Sequence, residues 1–297
     1  MKTSWLATAL LLFCIAIPPT ASAQDETPPT LAGAPPQMLV LVHREFASGK
    51  APERRKLEGA IARACNQLVV PNSWIDLESI TGSPEALSFD PFDTFDQMEA
   101  ALADWAQIFG SHPDLARMQG ELDTLVSTER TIIAVRRDDL GYRPQAIDFS
   151  KARFVRVLEV RVFPGRGNDF AESMQILADG YEKINADTPW VVYQVNSGIP
   201  SPAFLVFLPM RGLAKNDDLL EWRRPLREAE GDQAAQRMEQ IARDAYSSTE
   251  SSLYVISPEM SHVSREFAEG DPGFWSAKAP AAAKPAPRKE PDSKPKP

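Results

Sequence analysis

The chain contains few of the residues that usually carry chemistry, with two cysteines and three histidines among 297 residues. No cysteine and histidine stand at the spacing of a zinc site. The GxSxG pattern of serine hydrolases, the HExxH pattern of zinc proteases and the Walker phosphate loop are also missing. We therefore predict no metal and no cofactor, and sequence alone identifies no catalytic residue.

Long apolar runs are missing except near the N-terminus. Residues 5–17 are apolar, follow the positive Lys2 and precede the small-residue cleavage pattern Ala21-Ser22-Ala23. This order is typical of a secretory signal peptide over residues 1–23, and the alternative is a lipoprotein signal ending at Cys14. Because no later stretch is long enough to cross a membrane, we expect a periplasmic or secreted mature protein without a transmembrane segment.

Removal of that segment leaves Cys65 as the remaining cysteine, so no internal disulfide is available. Cys65 shares a helical spacing with Leu57, Ile61 and Leu68. A small apolar thiol in such a stripe is typical of a core position. We interpret Cys65 as a buried structural residue and not as a nucleophile.

The formal net charge is −9, and the basic residues of the C-terminal tail make the remaining body more acidic still. An acidic body is repelled by phosphate backbones, so we expect no nucleic-acid partner. The stretch from about residue 277 alternates Ala, Pro and Lys, which predicts a disordered tail. It serves either as a spacer or as a contact with an anionic envelope surface.

A repeat is the strongest feature of the chain. After a Pro-rich linker at 24–37, residues 38–150 and 151–263 each predict strand, helix, strand, strand, helix, strand, with an extension at 264–297. Aromatic landmarks recur at offsets of 116 or 117 residues, and a Ser-Thr-Glu triplet recurs at 121. These landmarks are Phe46 and Phe163, Trp74 and Trp190, Trp105 and Trp222, and the triplets beginning at Ser127 and Ser248.

This element order is the ferredoxin-like split βαβ unit, an antiparallel sheet with helices on one face. The bare sheet face must be covered, and a second copy in the same chain can cover it. In this order, and in its paired aromatics, the chain resembles the dimeric α+β barrel superfamily, including antibiotic-biosynthesis-type monooxygenases, NIPSNAP-like proteins and chlorite-dismutase-like haem proteins. The resemblance implies an α+β fold in which both repeats form an intramolecular barrel, and hence a monomer.

Strand alternation suggests where a site would lie. In FVRVLEVRVF (154–163), Val155, Val157, Glu159 and Arg161 share one face, and mixed faces recur in the other strands. If the purely apolar faces take the helices, the mixed faces line the barrel interior as a small-molecule pocket. The candidate ligand-binding residues are then Arg44, Asp76, Glu78, Glu159, Arg161, Gln194, Asn196, Trp74 and Trp190.

The alternative interpretation of these charges is an interior ion-pair network without a ligand. By the same alternation His43 falls on the helix-packed face, whereas His112 lies in a loop and His262 follows the last strand. His43 or His262 would be the axial ligand if the chain bound haem. Three functions stay open: a small-molecule binder, a cofactor-independent monooxygenase in which Arg44 and Arg161 hold a substrate anion, and a structural protein with a filled barrel.

Overall fold

The computed structural model describes residues 33–220 and 223–276. The predicted signal peptide, most of the Pro-rich linker, Trp222 and the C-terminal tail lie outside the described residues. Within this part of the chain, no helix has the length and apolar character needed to span a bilayer.

Both repeats contain the predicted order of elements. The first comprises β1 (Met38–Phe46), α1 (Ala51–Leu68), β2 (Trp74–Ser79), β3 (Glu85–Phe92), α2 (Phe95–Ser111), α3 (Pro113–Asp123) and β4 (Val126–Arg136). The second comprises β5 (Phe154–Val162), α4 (Gly167–Lys183), β6 (Val191–Ser197), β7 (Ala203–Met210), α5 (Lys215–Leu220), α6 (Arg223–Glu230), α7 (Asp232–Ala245) and β8 (Tyr246–His262). Two short helices follow, α8 (Arg265–Glu269) and α9 (Pro272–Trp275).

Local sequence explains where the helices begin. Pro52 lies in the first turn of α1 and Pro113 begins α3, positions where a missing N–H costs nothing. Thr94 caps α2, because its Oγ1 accepts a hydrogen bond from the Gln97 amide at 3.2 Å. The helix α1 ends at Val69, which adopts the left-handed conformation.

The eight strands close into one antiparallel barrel in the order β1-β3-β2-β8-β5-β7-β6-β4. Each repeat contributes four adjacent strands in the split βαβ order, and the seams β2–β8 and β4–β6 join the two repeats. This confirms the predicted α+β fold with an intramolecular barrel. Closure leaves no strand of the barrel unpaired.

The barrel interior is a packed apolar core. Phe207 meets Phe89 and Tyr193 edge-on, at ring-centroid distances of 6.2 and 5.6 Å. Strands from both repeats contribute to this core, among them Leu39, Leu41, Ile75, Leu77, Val155, Val157, Val191, Val195, Leu205 and Ile256. Since these side chains occupy the barrel axis, the interior offers little space for a ligand.

Residues beyond the second repeat close one end of the barrel. Phe267 of α8 and Trp275 of α9 are buried against Phe149, which lies in the connection between the repeats. The Trp275 indole N–H donates to the Ser150 carbonyl at 2.6 Å. The pattern after residue 263 did not predict this contribution to the core.

A bulge in each repeat fixes the true correspondence of the first strands. The register shifts between Glu45 and Phe46 in the first repeat, and between Arg161 and Val162 in the second. Phe46 therefore corresponds to Val162, and the predicted correspondence with Phe163 is wrong by one residue. Phe163 is 49% exposed. A slip of one residue reverses the face assigned to every side chain of β1.

The predicted lining of the barrel is therefore correct in part. Glu159 and Arg161 lie on the inner face, near one mouth, and His43 lies there too, contrary to the helix-packed position predicted for it. Seven other candidates lie on the outer face of the sheet, which the helices cover: Arg44, Asp76, Glu78, Gln194, Asn196, Trp74 and Trp190. Their apolar neighbours point inward, because a closed barrel excludes water more completely than a sheet–helix layer does.

Candidate functional site

Each repeat has a cavity between the outer face of its strands and its helices. The first, the polar cavity, has a volume of about 300 Å³. Its lining comprises Val42, Arg44, Glu58, Ile61, Trp74, Asp76, Ser88, Asp90, Trp105, Phe109, Gln119, Leu122 and Met260. The second, the apolar cavity, has a volume of about 390 Å³ and is lined largely by α4, α7 and the outer face of β5–β7, including Leu158, Val160, Phe170, Met174, Leu177, Tyr181, Trp190, Val206 and Leu208.

The two cavities occupy equivalent places in the two repeats. The bulges align β1 of the first repeat with β5 of the second. The strand registers align the cross-strand partners Asp76 and Ser88 of the first repeat with the partners Val192 and Val206 of the second. The buried faces of α1 and α4 match with the same spacing. Five charged residues then have apolar counterparts, namely Arg44 and Val160, Arg54 and Phe170, Glu58 and Met174, Asp76 and Val192, and Asp90 and Leu208.

The apolar cavity is not wholly without charge. Arg156 lines it at the position equivalent to Val40, and its guanidinium donates to Asn216 at 2.6 Å. Glu239 of α7 is also part of its lining. The contrast between the cavities therefore lies in the carboxylates that the strands and the first helix supply to the polar cavity, namely Glu58, Asp76 and Asp90.

A buried charge cluster forms one wall of the polar cavity. Arg54 on α1 contacts two carboxylates, donating from Nη2 to Asp76 Oδ1 at 2.9 Å and lying with Nε 2.6 Å from Glu58 Oε2. Arg54 and Asp76 are each 3% exposed, and Glu58 is 5% exposed. One guanidinium thus faces two acidic groups in a place that water barely reaches.

Proton affinities in this cluster are shifted. Burial raises the pKa of Glu58, and burial together with the nearby Glu58 carboxylate raises the pKa of Asp76 well above its ordinary value. Asp90, on the adjacent strand β3, forms no hydrogen bond or ion pair with any described residue, and burial raises its pKa to about 7. A carboxyl group whose pKa lies near 7, as that of Asp90 does, suits acid–base work.

Aromatic rings form another part of the lining. Trp74 lies with its ring centroid 6.0 Å from that of Trp105, which stacks on Phe109 at 5.4 Å. The Trp74 indole is held in place, because its N–H donates to the Met260 carbonyl at 2.9 Å. A few fixed charges facing aromatic rings is the usual composition of a small-molecule pocket.

Three of the predicted candidates meet in this cavity: Arg44, Trp74 and Asp76. Arg44 also donates outward to Glu129 at 2.7 Å. Glu78 shares the strand face but pairs with Arg55 at the surface, with contacts of 2.6 to 2.9 Å. The structure therefore brings part of the predicted set together, on the other side of the sheet from the one expected.

The remaining candidates lie elsewhere. Gln194 accepts a hydrogen bond from Arg137 at 2.6 Å, and Asn196 is exposed. Trp190 belongs to the apolar layer and donates to the Leu140 carbonyl at 3.0 Å. Glu159 and Arg161 pair with each other at 2.7 Å in the barrel mouth.

The barrel mouth holds a second polar group. His43 Nε2 lies 2.7 Å from Glu85 Oε2, and the Tyr254 hydroxyl donates to the other oxygen of Glu85 at 2.9 Å. The hydrogen bond with Glu85 raises the pKa of His43. The cavity beside these residues measures about 70 Å³, which is too small for an organic ligand of ordinary size.

Neither histidine considered for haem is placed to serve as its axial ligand. His262 is buried, with Nδ1 2.7 Å from Asn66 Oδ1 and Nε2 2.9 Å from the Val70 carbonyl. His43 is engaged with Glu85 inside the barrel. Among the residues described, no histidine lines either sheet–helix cavity, so the residues present do not fit a histidine-ligated haem.

Sequence reasoning missed Arg54, Glu58 and Asp90. A signal for the first two was present, because Arg54 and Glu58 extend the stripe of Ile61 and Cys65 at helical spacing. Charged residues continuing an apolar stripe indicate buried charge, which is uncommon and calls for a partner or a ligand. Asp90 carried no such signal, since charged residues at strand ends are common.

A scan against protein-family models and a search of curated proteins return no match to this chain. Among solved structures, a candidate monooxygenase from Lactobacillus acidophilus is similar at 8% identity, covering 74% of this chain and 93% of that chain, with a TM-score of 0.46. An anthrone oxidase-like protein is similar at 11% identity, with coverages of 76% and 94% and a TM-score of 0.49. A chlorite dismutase mutant from Candidatus Nitrospira defluvii is similar at 10% identity, with coverages of 80% and 96% and a TM-score of 0.47. At these values the activities of those proteins do not transfer to this chain.

Proposed function

We propose that this protein binds a small organic molecule in the polar cavity of its first repeat. The observation that carries the proposal is the contrast between equivalent sheet–helix layers. Five charged positions in the first repeat, four of which line its cavity, correspond to Val160, Phe170, Met174, Val192 and Leu208 in the second. The second repeat packs the same layer without those charges. Since buried charges reduce stability unless they are well paired, their presence in the first repeat favours a binding role.

The dimensions of the cavity support this proposal. A volume of about 300 Å³ is at the lower end of the range for ligand pockets, which suits a compact molecule. A smaller cavity of about 140 Å³ lies next to it, and Asp90 and Trp105 line both. Ligand binding in the sheet–helix layer also leaves the packed barrel core undisturbed.

An enzyme that needs no cofactor, such as a monooxygenase acting on phenols, is the second candidate. The observation that favours it is Asp90, which has no ion-pair partner among the described residues and whose pKa is about 7. Such a carboxylate can accept a proton from a weakly acidic substrate. Arg44 lines the same cavity and would hold the resulting anion, whereas Arg161, the other predicted anion ligand, lies in the barrel mouth.

Native mass spectrometry of protein purified from a secreted preparation tests the binding proposal. We expect an added mass on the wild type that is absent from a variant carrying the second repeat's residues, Arg54→Phe, Glu58→Met, Asp76→Val and Asp90→Leu. Met174→Leu, a conservative change in the apolar cavity, is the matched control and should retain the mass. An added mass that persists in the fourfold variant would contradict the proposal.

Oxygen consumption separates the two candidates. Phenolic and quinol substrates are incubated with the wild type and with Asp90→Asn, which keeps the shape of the side chain but cannot accept the proton. If the protein is such an enzyme, the wild type should consume oxygen, and the rate of the variant should be lower by a factor of about ten or more. Binding without oxygen consumption supports the first candidate alone.

A further inference from the structure

We propose that the ligand of the polar cavity is an organic cation, namely a protonated amine carried on an aromatic or other apolar body. This inference rests on the proposed function and specifies the chemical class that the site would select. It follows from the charge balance of the cavity wall, from one unpartnered carboxylate oxygen and from the aromatic rings of the lining.

The charges facing the cavity do not balance. Glu58, Asp76 and Asp90 supply three carboxylates to the lining and Arg44 supplies one guanidinium, while Arg54 is not part of the lining and pairs with Glu58 and Asp76. Arg44 is also engaged by a further carboxylate, that of Glu129. When all these groups are ionised, the wall carries excess negative charge, which a bound cation would neutralise.

Glu58 gives independent evidence that a partner is missing. The residue is buried and lines the cavity. Its Oε2 is paired with Arg54 Nε at 2.6 Å, whereas its Oε1 has no hydrogen-bond partner among the described residues. A buried acceptor without a donor is costly, and an ammonium group in the cavity would supply up to three donors.

The aromatic wall suits the same class of ligand. The faces of Trp74, Trp105 and Phe109 attract a cation through the ring quadrupole and also cover an apolar body. Tryptophan is the strongest partner in this interaction. The carboxylates and indoles of this lining would thus recognise the head and the body of an amine.

An organic cation fits better than a metal ion. Within the described ranges, no three carboxylate, imidazole or thiol groups lie close enough together to hold a metal. The carboxylates are distributed over α1, β2 and β3 around a volume of about 300 Å³. That spacing matches a molecule of several atoms that contacts each group separately.

Binding of a cation should displace protons from this wall. Arg44 of β1, Asp76 of β2 and Glu58 of α1 are the titratable groups that line the cavity with Asp90, and Arg44 is the charge that lowers its pKa. The helices α2 and α3 contribute Trp105, Phe109, Gln119 and Leu122, none of which titrates. A cation that binds the ionised form competes with the proton on Asp90. Affinity for an amine should therefore fall by about tenfold between pH 8 and pH 6.

Isothermal titration calorimetry on the full chain tests the proposal with two sets of probes matched in shape. One set comprises tryptamine, tryptophol and indole-3-acetate, and the other comprises benzylamine, benzyl alcohol and benzoate. At pH 8 we expect at least one amine to bind about tenfold more tightly than its alcohol and its acid. Repeating the titration in buffers of different ionisation enthalpy should reveal proton release at pH 7.

Variants show where the amine binds. Asp90→Asn should weaken amine binding, abolish proton release and remove the pH dependence, while Met174→Leu in the apolar cavity should change none of these. Tighter binding of the alcohol or the acid, at a site sensitive to Glu58→Met, would overturn the cationic class but leave the binding proposal intact. If no probe binds the wild type more tightly than the fourfold variant, both proposals are overturned.

Discussion

Arg54 on α1 donates to Asp76 on β2 across 2.9 Å, and the equivalent pair in the second repeat is Phe170 and Val192. The same junction of helix and strand is therefore built once with an ion pair and once with apolar side chains. Because the apolar version is compatible with the fold, the ion pair is not required for the helix to pack.

Loss of Arg54 alone should destabilise the protein strongly. Arg54→Phe leaves Glu58 and Asp76 buried without their cation, and we expect a fall of about 3–5 kcal/mol in the free energy of unfolding. Adding Glu58→Met and Asp76→Val should recover most of that loss. The three positions then carry the residues of the second repeat, Phe170, Met174 and Val192, and no charge among them stays buried without a partner. Urea denaturation measures both, and Arg117→Ala, which breaks an exposed pair, should cost less than about 1 kcal/mol.

Asp90 should make stability depend on pH. The pKa of Asp90 rises from its ordinary value of 3.8 to about 7 in the folded protein. Between pH 3.8 and pH 7, the folded chain therefore holds a proton that the unfolded chain has lost. Stability conferred by that proton falls as pH rises through this window. Asp90→Asn should therefore stabilise the protein by about 2–4 kcal/mol at pH 8 and have little effect below pH 4. The exposed Asp93→Asn is the control, and an equal effect of both changes would contradict the prediction.

The pair of His43 and Glu85 should also make the fold less stable as pH rises. Its hydrogen bond raises the pKa of His43 above the ordinary value of 6.5, so the pair stabilises the fold below that value. This stability is lost as pH rises through the folded pKa. Glu85→Gln should thus cost more stability at pH 5.5 than at pH 8.5, and NMR titration should show a lower pKa for His43. Glu121→Gln, on the surface, should cost the same at both values.

Closure of the barrel end by α9 should be essential to stability. Trp275→Ala removes a buried indole that packs against Phe267 at 4.9 Å, and we expect a loss of about 3–5 kcal/mol. Trp275→Phe keeps an aromatic ring but loses the hydrogen bond to the Ser150 carbonyl. Loss of that hydrogen bond should lower the free energy of unfolding by about 1 kcal/mol. Phe163→Ala, at an exposed position, should have little effect in the same thermal denaturation assay.

One chain should be sufficient to form the barrel in solution. Both seams, β2–β8 and β4–β6, are made within the chain, so no second copy is needed to pair a strand. Size-exclusion chromatography with light scattering should give the mass of a single chain. An obligate dimer would indicate that some other surface drives association.

The repeat made the fold predictable, because it is recorded in features that survive divergence: element order, hydrophobic periodicity and turn residues. The strand predicted at 154–163 is present as β5, Phe154–Val162. The closing helices α8 and α9 were not predicted, since two short helices bury only Phe267 and Trp275 and leave no periodic pattern.

The site was less predictable because strand alternation determines two faces without saying which is inside. Phe46 was matched with Phe163, which lies one residue beyond the end of β5, and this single slip moved Arg44 into the barrel and His43 out of it. For Asp76 and Trp74 the faces were grouped correctly but assigned to the wrong side. The barrel interior excludes water more completely than the sheet–helix layer does, and the apolar Ile75 and Leu77 of the same strand point into it.

The two intramolecular seams also release the protein from a constraint of symmetry. A barrel assembled from two identical subunits must repeat every side chain, so a cavity in one half is copied in the other. With both halves in a single polypeptide, a mutation of Glu58 leaves the equivalent Met174 unchanged. The residues of the two cavities can therefore be substituted independently. An asymmetric molecule of this kind can dedicate one half to packing and reserve the other for chemistry.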